Sequence, residues 1–281
     1  MRQALISLAS RVSSLRRLAA GASGARDARD ARDAEEDAGI GPGADLDAEP
    51  RLTREVGSTI DSIRWIGVSS PRSSGPAVAF LVRHGQTPTT GVVLPGRARG
   101  LHLSDQGRAQ ADAVAERIAA LRRPPVAVYA SPQERATETA KPIATRLGLR
   151  VKVERALAEC DCGSWTGTEL REVRRRREWR TIQQLPSAFT FPGGESFAQM
   201  QARVTEAIDR LSENHRGQSF VAVSHADPIK AVIAATAGIP LDLFGRLAVA
   251  TCSVTVVVRG ITGYRVLCVN STANLGELAL P

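Results

Sequence analysis

The chain has 281 residues, 43% hydrophobic and 23% charged, with a formal net charge of +8. That length holds one large domain or two small ones, and no apolar run approaches the roughly 18 residues of a membrane span. Cys160, Cys162, Cys252 and Cys268 show no paired C-x-x-C spacing, which argues against a zinc framework and for reduced thiols in a cytoplasmic protein.

Charge is unevenly placed. Residues 1–75 hold 11 arginines and 11 acidic residues, so the whole excess falls on residues 76–281. A basic folded part suits an anionic ligand such as a phosphate ester or a nucleic acid. Lysine occurs only at Lys141, Lys152 and Lys230, so a chain-wide arginine bias competes with that reading. Aromatic residues for base stacking are few and no nucleic-acid motif is present, so no nucleic-acid partner is expected.

Residues 1–75 read as a disordered, low-complexity N-terminal extension. "GARDARDARDAEEDAG" repeats Ala-Arg-Asp without apolar periodicity and has nothing to bury against the entropy of ordering. Upstream of it, Leu5, Leu8, Val12, Leu15 and Leu18 recur at helical spacing among arginines and serines. Three readings fit that pattern: a transit peptide, a surface-binding helix, or an extension without function.

From Pro76 the pattern becomes regular. Strands are predicted at 77–82, 126–130, 151–154, 219–223, 254–258 and 264–269. Ser104 can cap a helix whose Val114, Ile118 and Leu121 share one face. "SPQE", residues 131–134, has the form of a capping box with Pro132 at the first helical position. Met200, Val204, Ile208 and Leu211 form another apolar stripe, ending near Gly217. Pro228 marks the start of a further helix, and the last two strands follow closely enough for a hairpin. Strands alternating with helices predict an α/β domain over 76–281: three layers, with a mostly parallel central sheet flanked by helices.

In an open α/β sheet, ligands sit at the carboxyl ends of the strands. The run 77–82 leads into Arg83 and His84, and the run 126–130 into Ser131 and then Arg135. The run 219–223 leads to His225, and Glu159 follows the third run in "LAECDCGSWTG". Two arginines, two histidines and a carboxylate can therefore meet on one rim. A neutral imidazole is a good nucleophile near pH 7. Arginines grip phosphate oxygens with paired, charge-assisted hydrogen bonds. A second histidine, if cationic, stabilises charge on a phosphoryl group in flight. A glutamic acid can protonate the leaving oxygen and then deprotonate water. Taken singly, each residue also has a structural reading: a hydrogen-bonded histidine, an exposed helix arginine, a surface acid.

Together, "LVRHGQT", "SPQERATETA", "LAECDCGSWTG", "FPGGES" and "VSHADPIKAV" resemble the histidine phosphatase superfamily, whose fold is phosphoglycerate mutase-like. The resemblance spans about residues 77–275 and is nearest to a subfamily often labelled probable phosphomutase. It implies that His84 is the phosphorylated nucleophile and Glu159 the proton donor. It implies that Arg83, Arg135 and His225 form the phosphate pocket, with no metal or other cofactor. Thr90, Gly96 and Arg97 are further candidates for substrate contact, and the expected partner is a small phosphorylated metabolite.

The chain also departs from the mutases. Thr90 stands where an asparagine is usual, and Ala226 where a glycine commonly follows the second histidine. Leu170 lies near the place of a mutase lysine, and the paired arginines for a second phosphate have no clear equivalent. "VRRRREWR", residues 173–180, reads instead as a solvated helix face. Loss of second-phosphate binders favours hydrolysis. The expectation is a metal-independent phosphatase acting through phosphohistidine. Its rivals are a phosphomutase with the same intermediate and a catalytically poor phospho-ligand binding module. His215, near a helix end, reads as structural, with a cationic ring suited to the dipole.

Overall fold

The computed structural model describes residues 75–273. The expectations for the N-terminal extension therefore lie outside the described residues, apart from Gly75.

The elements run β1 (Ala77–Arg83), α1 (Asp105–Ala119), β2 (Ala127–Ala130), α2 (Glu134–Arg146), β3 (Val151–Val153), α3 (Phe197–Asn214), β4 (Ser219–Ser224), α4 (Ala226–Ala237), β5 (Val254–Gly260) and β6 (Gly263–Ser271). Short helical turns occupy parts of the long connection between β3 and α3. The sheet has six strands in the order β3-β2-β4-β1-β5-β6. β3, β2, β4 and β1 are parallel, while β5 runs antiparallel to β1 and pairs with β6 as a hairpin.

Both faces of the sheet are covered, so the central strands are apolar throughout. In β1, Val78, Phe80 and Val82 pack with Val114 and Ile118 of α1 and Ile143 of α2. Ala79 and Leu81 face the other way, toward Met200, Val204 and Ile208 of α3 and Ile229 and Ile233 of α4. The alternation of side chains along a strand thus feeds two cores, one per layer of helices. No described helix is long and apolar enough to cross a membrane.

Two local expectations fail. The capping box at 131–134 does not form: α2 begins at Glu134, its N-cap Gln133 makes no side-chain cap bond, and Pro132 lies ahead of the helix. Ser131 instead turns its hydroxyl to Gln133 and His225. Residues 173–180 are not one helix either. Short helices at Leu170–Val173 and Trp179–Gln184 flank a turn, and the Arg176 guanidinium lies over the Trp165 ring at 4.4 Å.

The reading of His215 is half right. It caps the end of α3, and its Nε2 lies 3.0 Å from the Tyr129 hydroxyl, so its place is structural. Burial holds its pKa below the ordinary value, which disfavours the cationic form expected at the dipole.

Candidate active site

Three parallel strands end side by side. Arg83 of β1 pairs with Ser224 of β4, and Ala130 of β2 with Val223 of β4. The ladder runs one residue past each tip: His84 N–H donates to the Ser224 carbonyl at 2.9 Å, and Ser131 N–H to Val223 at 2.9 Å. That register brings His84, Ser131 and His225 to one edge. The Glu159 loop joins them through Ser224, whose hydroxyl donates to the Leu157 carbonyl at 2.7 Å.

His84 is buried, and its Nδ1 lies 2.7 Å from the Gly85 carbonyl. A carbonyl only accepts, so Nδ1 carries the proton and Nε2 keeps its lone pair. Burial first, and then the Arg135 charge, pull its pKa down to about 3. The ring is therefore neutral at physiological pH, with a free lone pair on Nε2.

His225 is the N-cap of α4 and fully buried. Its Nε2 lies 2.7 Å from Ser131 Oγ and 3.1 Å from Gln133 Oε1. Ser131 gives its own proton to Gln133 Oε1, so Nε2–H is the donor on the histidine side. Nδ1 has no hydrogen-bond partner and stands 3.9 Å from Glu159 Oε2. Burial and the charge of Arg135 hold this imidazole well below its ordinary pKa. That burial disfavours the cationic form, on which the charge-stabilising role read from the sequence depends.

Arg135 is completely buried, although it lies in the first turn of α2. Its Nη2 donates to the Gly96 carbonyl at 2.9 Å, while Nε and Nη1 are buried without partners. Arg83 shows the same pattern. Nη1 donates to the Val249 carbonyl at 2.7 Å, and Nε is buried and unpartnered. Unsatisfied buried guanidinium groups are costly and call for an anion.

Glu159 is buried, and one oxygen accepts from Cys160 N–H at 2.8 Å. Burial, and next the neighbouring Asp227, push its carboxyl up to about 7. It can hold a proton near neutral pH and release it.

Arg83, His84, Arg135 and Glu159 line one cavity of about 190 Å³, shared with Thr90, Gly96, Leu170, Ala226 and Asp227. Thr90 is at the wall, with its Oγ1 accepting from Thr87 N–H at 2.9 Å. Gly96 contributes wall and the carbonyl that holds Arg135. Ala226 sits in the first turn of α4 with ordinary backbone angles, since Cys252 and Asn270 are the non-glycine residues with positive φ among the described residues. Arg97 does not line the cavity. Its guanidinium donates to the Glu159 carbonyl at 3.0 Å and pairs with Asp161 and Glu195. It braces the loop behind Glu159.

A profile of the histidine phosphatase superfamily (branch 1) matches residues 79–272. The chain belongs to this superfamily. It is an enzyme of the phosphoglycerate mutase-like fold. Phosphoserine phosphatase 1 of Hydrogenobacter thermophilus is 32% identical over 203 residues, 70% of this chain and 94% of that protein. An acid phosphatase of Mycobacterium tuberculosis is 32% identical over 190 residues, 66% of this chain and 85% of that protein. A solved mycobacterial glucosyl-3-phosphoglycerate phosphatase matches with a TM-score of 0.63 and 27% identity, over 70% of this chain and 100% of that one.

In this histidine phosphatase, some residues at the site escaped the sequence reading. Gln133 anchors His225, and Asp227 lines the cavity beside Glu159. Arg203 donates to the carbonyls of Ala156 and Glu159 at 2.8 and 3.0 Å and pairs with Glu195. Asp227 stands two residues past His225 in a predicted helix start, and that spacing was a usable signal. Arg203 offered none, because the two carbonyls it holds lie 47 and 44 residues away in sequence.

Proposed function

We propose that this enzyme is a metal-independent phosphatase that hydrolyses small phosphate monoesters through a phosphohistidine on His84. The observation that carries this reading is that Arg83 and Arg135, each with a buried guanidinium N–H that has no partner, line one cavity with His84, whose Nε2 keeps its lone pair. A phosphoryl group satisfies those donors and lies where His84 attacks it.

In the first step His84 Nε2 forms a bond to phosphorus and the bond to the ester oxygen breaks. Glu159 gives its proton to the departing alkoxide. Water then gives a proton to the Glu159 carboxylate, its oxygen bonds to phosphorus, and the N–P bond breaks. Inorganic phosphate leaves and Glu159 is again protonated. Arg83, Arg135 and His225 carry the charge of the loose transition state.

Relatives named as phosphatases support the reaction, and the names of two of them point to small phosphorylated substrates. Leu170 at the cavity wall, in place of a cation, supports water over a second phosphate as the acceptor. The cytoplasm fits because the four cysteines are free thiols.

Rapid-quench labelling with p-nitrophenyl phosphate, read by mass spectrometry, tests the mechanism. The expected result is a transient, acid-labile phosphate on His84 with steady release of inorganic phosphate. A label that leaves only when a sugar or glycerate acceptor is added would make the enzyme a mutase. Near-native turnover by His84→Ala would sink the mechanism.

A further inference from the structure

Beyond the phosphate pocket, the cavity has a distinct character. Asp227, the second residue of α4, lines it beside Glu159 and Ala226. Its Oδ1 is held by Lys230 Nζ at 3.2 Å, one turn along the helix. That ion pair fixes the carboxylate and neutralises the lysine. Among the described residues, the charged groups lining the cavity are Arg83, Arg135, Glu159 and Asp227. Val93, Leu94, Leu101 and Leu170 give hydrocarbon, with threonine hydroxyls at Thr89 and Thr90.

Both arginines are committed to the phosphoryl group. A second anion on the substrate would meet hydrocarbon and the Asp227 carboxylate, with no cation to replace its lost hydration. An ammonium group would meet the opposite charge of Asp227 on the same lining. The volume of about 190 Å³ lies below the roughly 300–1,000 Å³ of pockets that enclose drug-sized ligands, so the alcohol is compact.

We infer that Asp227 is a specificity-determining residue that selects phosphate esters of compact amino alcohols and rejects those of hydroxy acids. This inference rests on the phosphatase reading above and narrows its substrate class.

The test compares O-phosphoethanolamine with 2-phosphoglycolate, near-isosteric esters whose far ends carry opposite charges. The readout is the ratio of their kcat/KM values, because Asp227 also acts on Glu159 and absolute rates will move. Wild type should favour phosphoethanolamine. Asp227→Asn leaves Lys230 unopposed, and the ratio should fall by about tenfold, the size of one partly screened charge contact. Lys230→Met frees the carboxylate, and the ratio should rise. Opposite shifts from the two variants are not produced by a loss of folding.

If both esters are turned over and neither variant moves the ratio, the inference is wrong while the phosphatase reading stands. If wild type favours phosphoglycolate, the inference is likewise overturned. If neither ester is hydrolysed and p-nitrophenyl phosphate leaves no label on His84, the parent reading fails and takes this one with it.

Discussion

His84 and His225 face each other with ring centroids 5.1 Å apart and planes tilted by 60°. Each ring is anchored by one nitrogen, His84 through Gly85 and His225 through Ser131 and Gln133. The nitrogens left over are His84 Nε2 and His225 Nδ1, both without a proton in the neutral tautomers those bonds select. A bare lone pair at His225 Nδ1 repels an anion, whereas a protonated one donates to it. An oxyanion bound in the cavity against His84 should therefore draw a proton onto His225. Calorimetric titration with sulfate, in two buffers of different ionisation enthalpy, measures this. It is best done in Glu159→Gln, where the neighbouring carboxyl cannot contribute. Proton uptake is expected near pH 7, with sulfate affinity falling as pH rises. Binding without uptake would show that His225 stays neutral.

Glu159 sets a second pH dependence. Its carboxyl is pushed up to about 7 by burial and by Asp227. The acid form is the one that protonates a leaving alkoxide, so kcat/KM for alkyl phosphates should fall as pH rises through 7. p-Nitrophenolate leaves without that help, so kcat/KM for its phosphate should not show this fall. In Glu159→Gln, alkyl phosphates should slow by roughly 10²–10⁴-fold, the usual worth of a positioned acid or base. p-Nitrophenyl phosphate should give a burst, because the phosphoenzyme forms but lacks the base that activates water. Equal slowing of both substrate types, with no burst, would remove Glu159 from the proton-donor role.

The central strands were legible because burial on both sheet faces makes continuous apolar runs, and β1 shows this over Ala77–Val82, whereas the edge strands β3 and β6 are partly exposed. The meeting of Arg83, His84 and His225 was legible because parallel strands bring their carboxyl ends to one edge. Other features depend on contacts that local pattern does not contain. Ser131 has the spacing of a helix cap, but His225, 94 residues away, competes for its hydroxyl. Arg97 lies in a segment at the cavity mouth, yet its charge is held by Asp161 and Glu195, 64 and 98 residues distant. Burial, and with it the sign of every pKa shift at the site, is likewise a property of the assembled layers.

Arg135 should oppose stability and function in the same side chain. It is fully buried, and two of its nitrogens have no hydrogen-bond partner within the protein. Its single bond to the Gly96 carbonyl offsets little of that desolvation. Arg135→Met keeps the apolar stem and removes the charge. The ligand-free variant should melt higher, by about 2–4 °C for each kcal/mol gained in a chain of this size. It should also lose the thermal stabilisation that sulfate gives the wild type, and kcat/KM should drop by about 10²-fold or more. A lower melting temperature in the ligand-free variant would mean that Arg135 serves the fold rather than the phosphate.

Gly107 tests how the His84 loop is held. It lies in the first turn of α1, where an added Cβ would sit 2.0 Å from the Gln86 carbonyl oxygen. The contact is reciprocal, since a Cβ on Gly85 would sit 2.5 Å from the Gly107 carbonyl oxygen. Ser104 N–H donates to the same Gln86 oxygen at 2.9 Å, and Gln110 Oε1 accepts from Gln86 N–H at 2.9 Å. The backbone after His84 is thus clamped onto the helix start with no room for a methyl group. Gly107→Ala must push that loop away, at a cost of about 1–3 kcal/mol from overpacking. Because the loop carries the Gly85 carbonyl that fixes the His84 tautomer, kcat on p-nitrophenyl phosphate should fall together with the melting temperature. Gly245→Ala is the control, with nothing within 4 Å of its new Cβ, and should change neither. Full activity and wild-type melting in Gly107→Ala would show that the loop yields freely and that His84 is positioned by β1 alone.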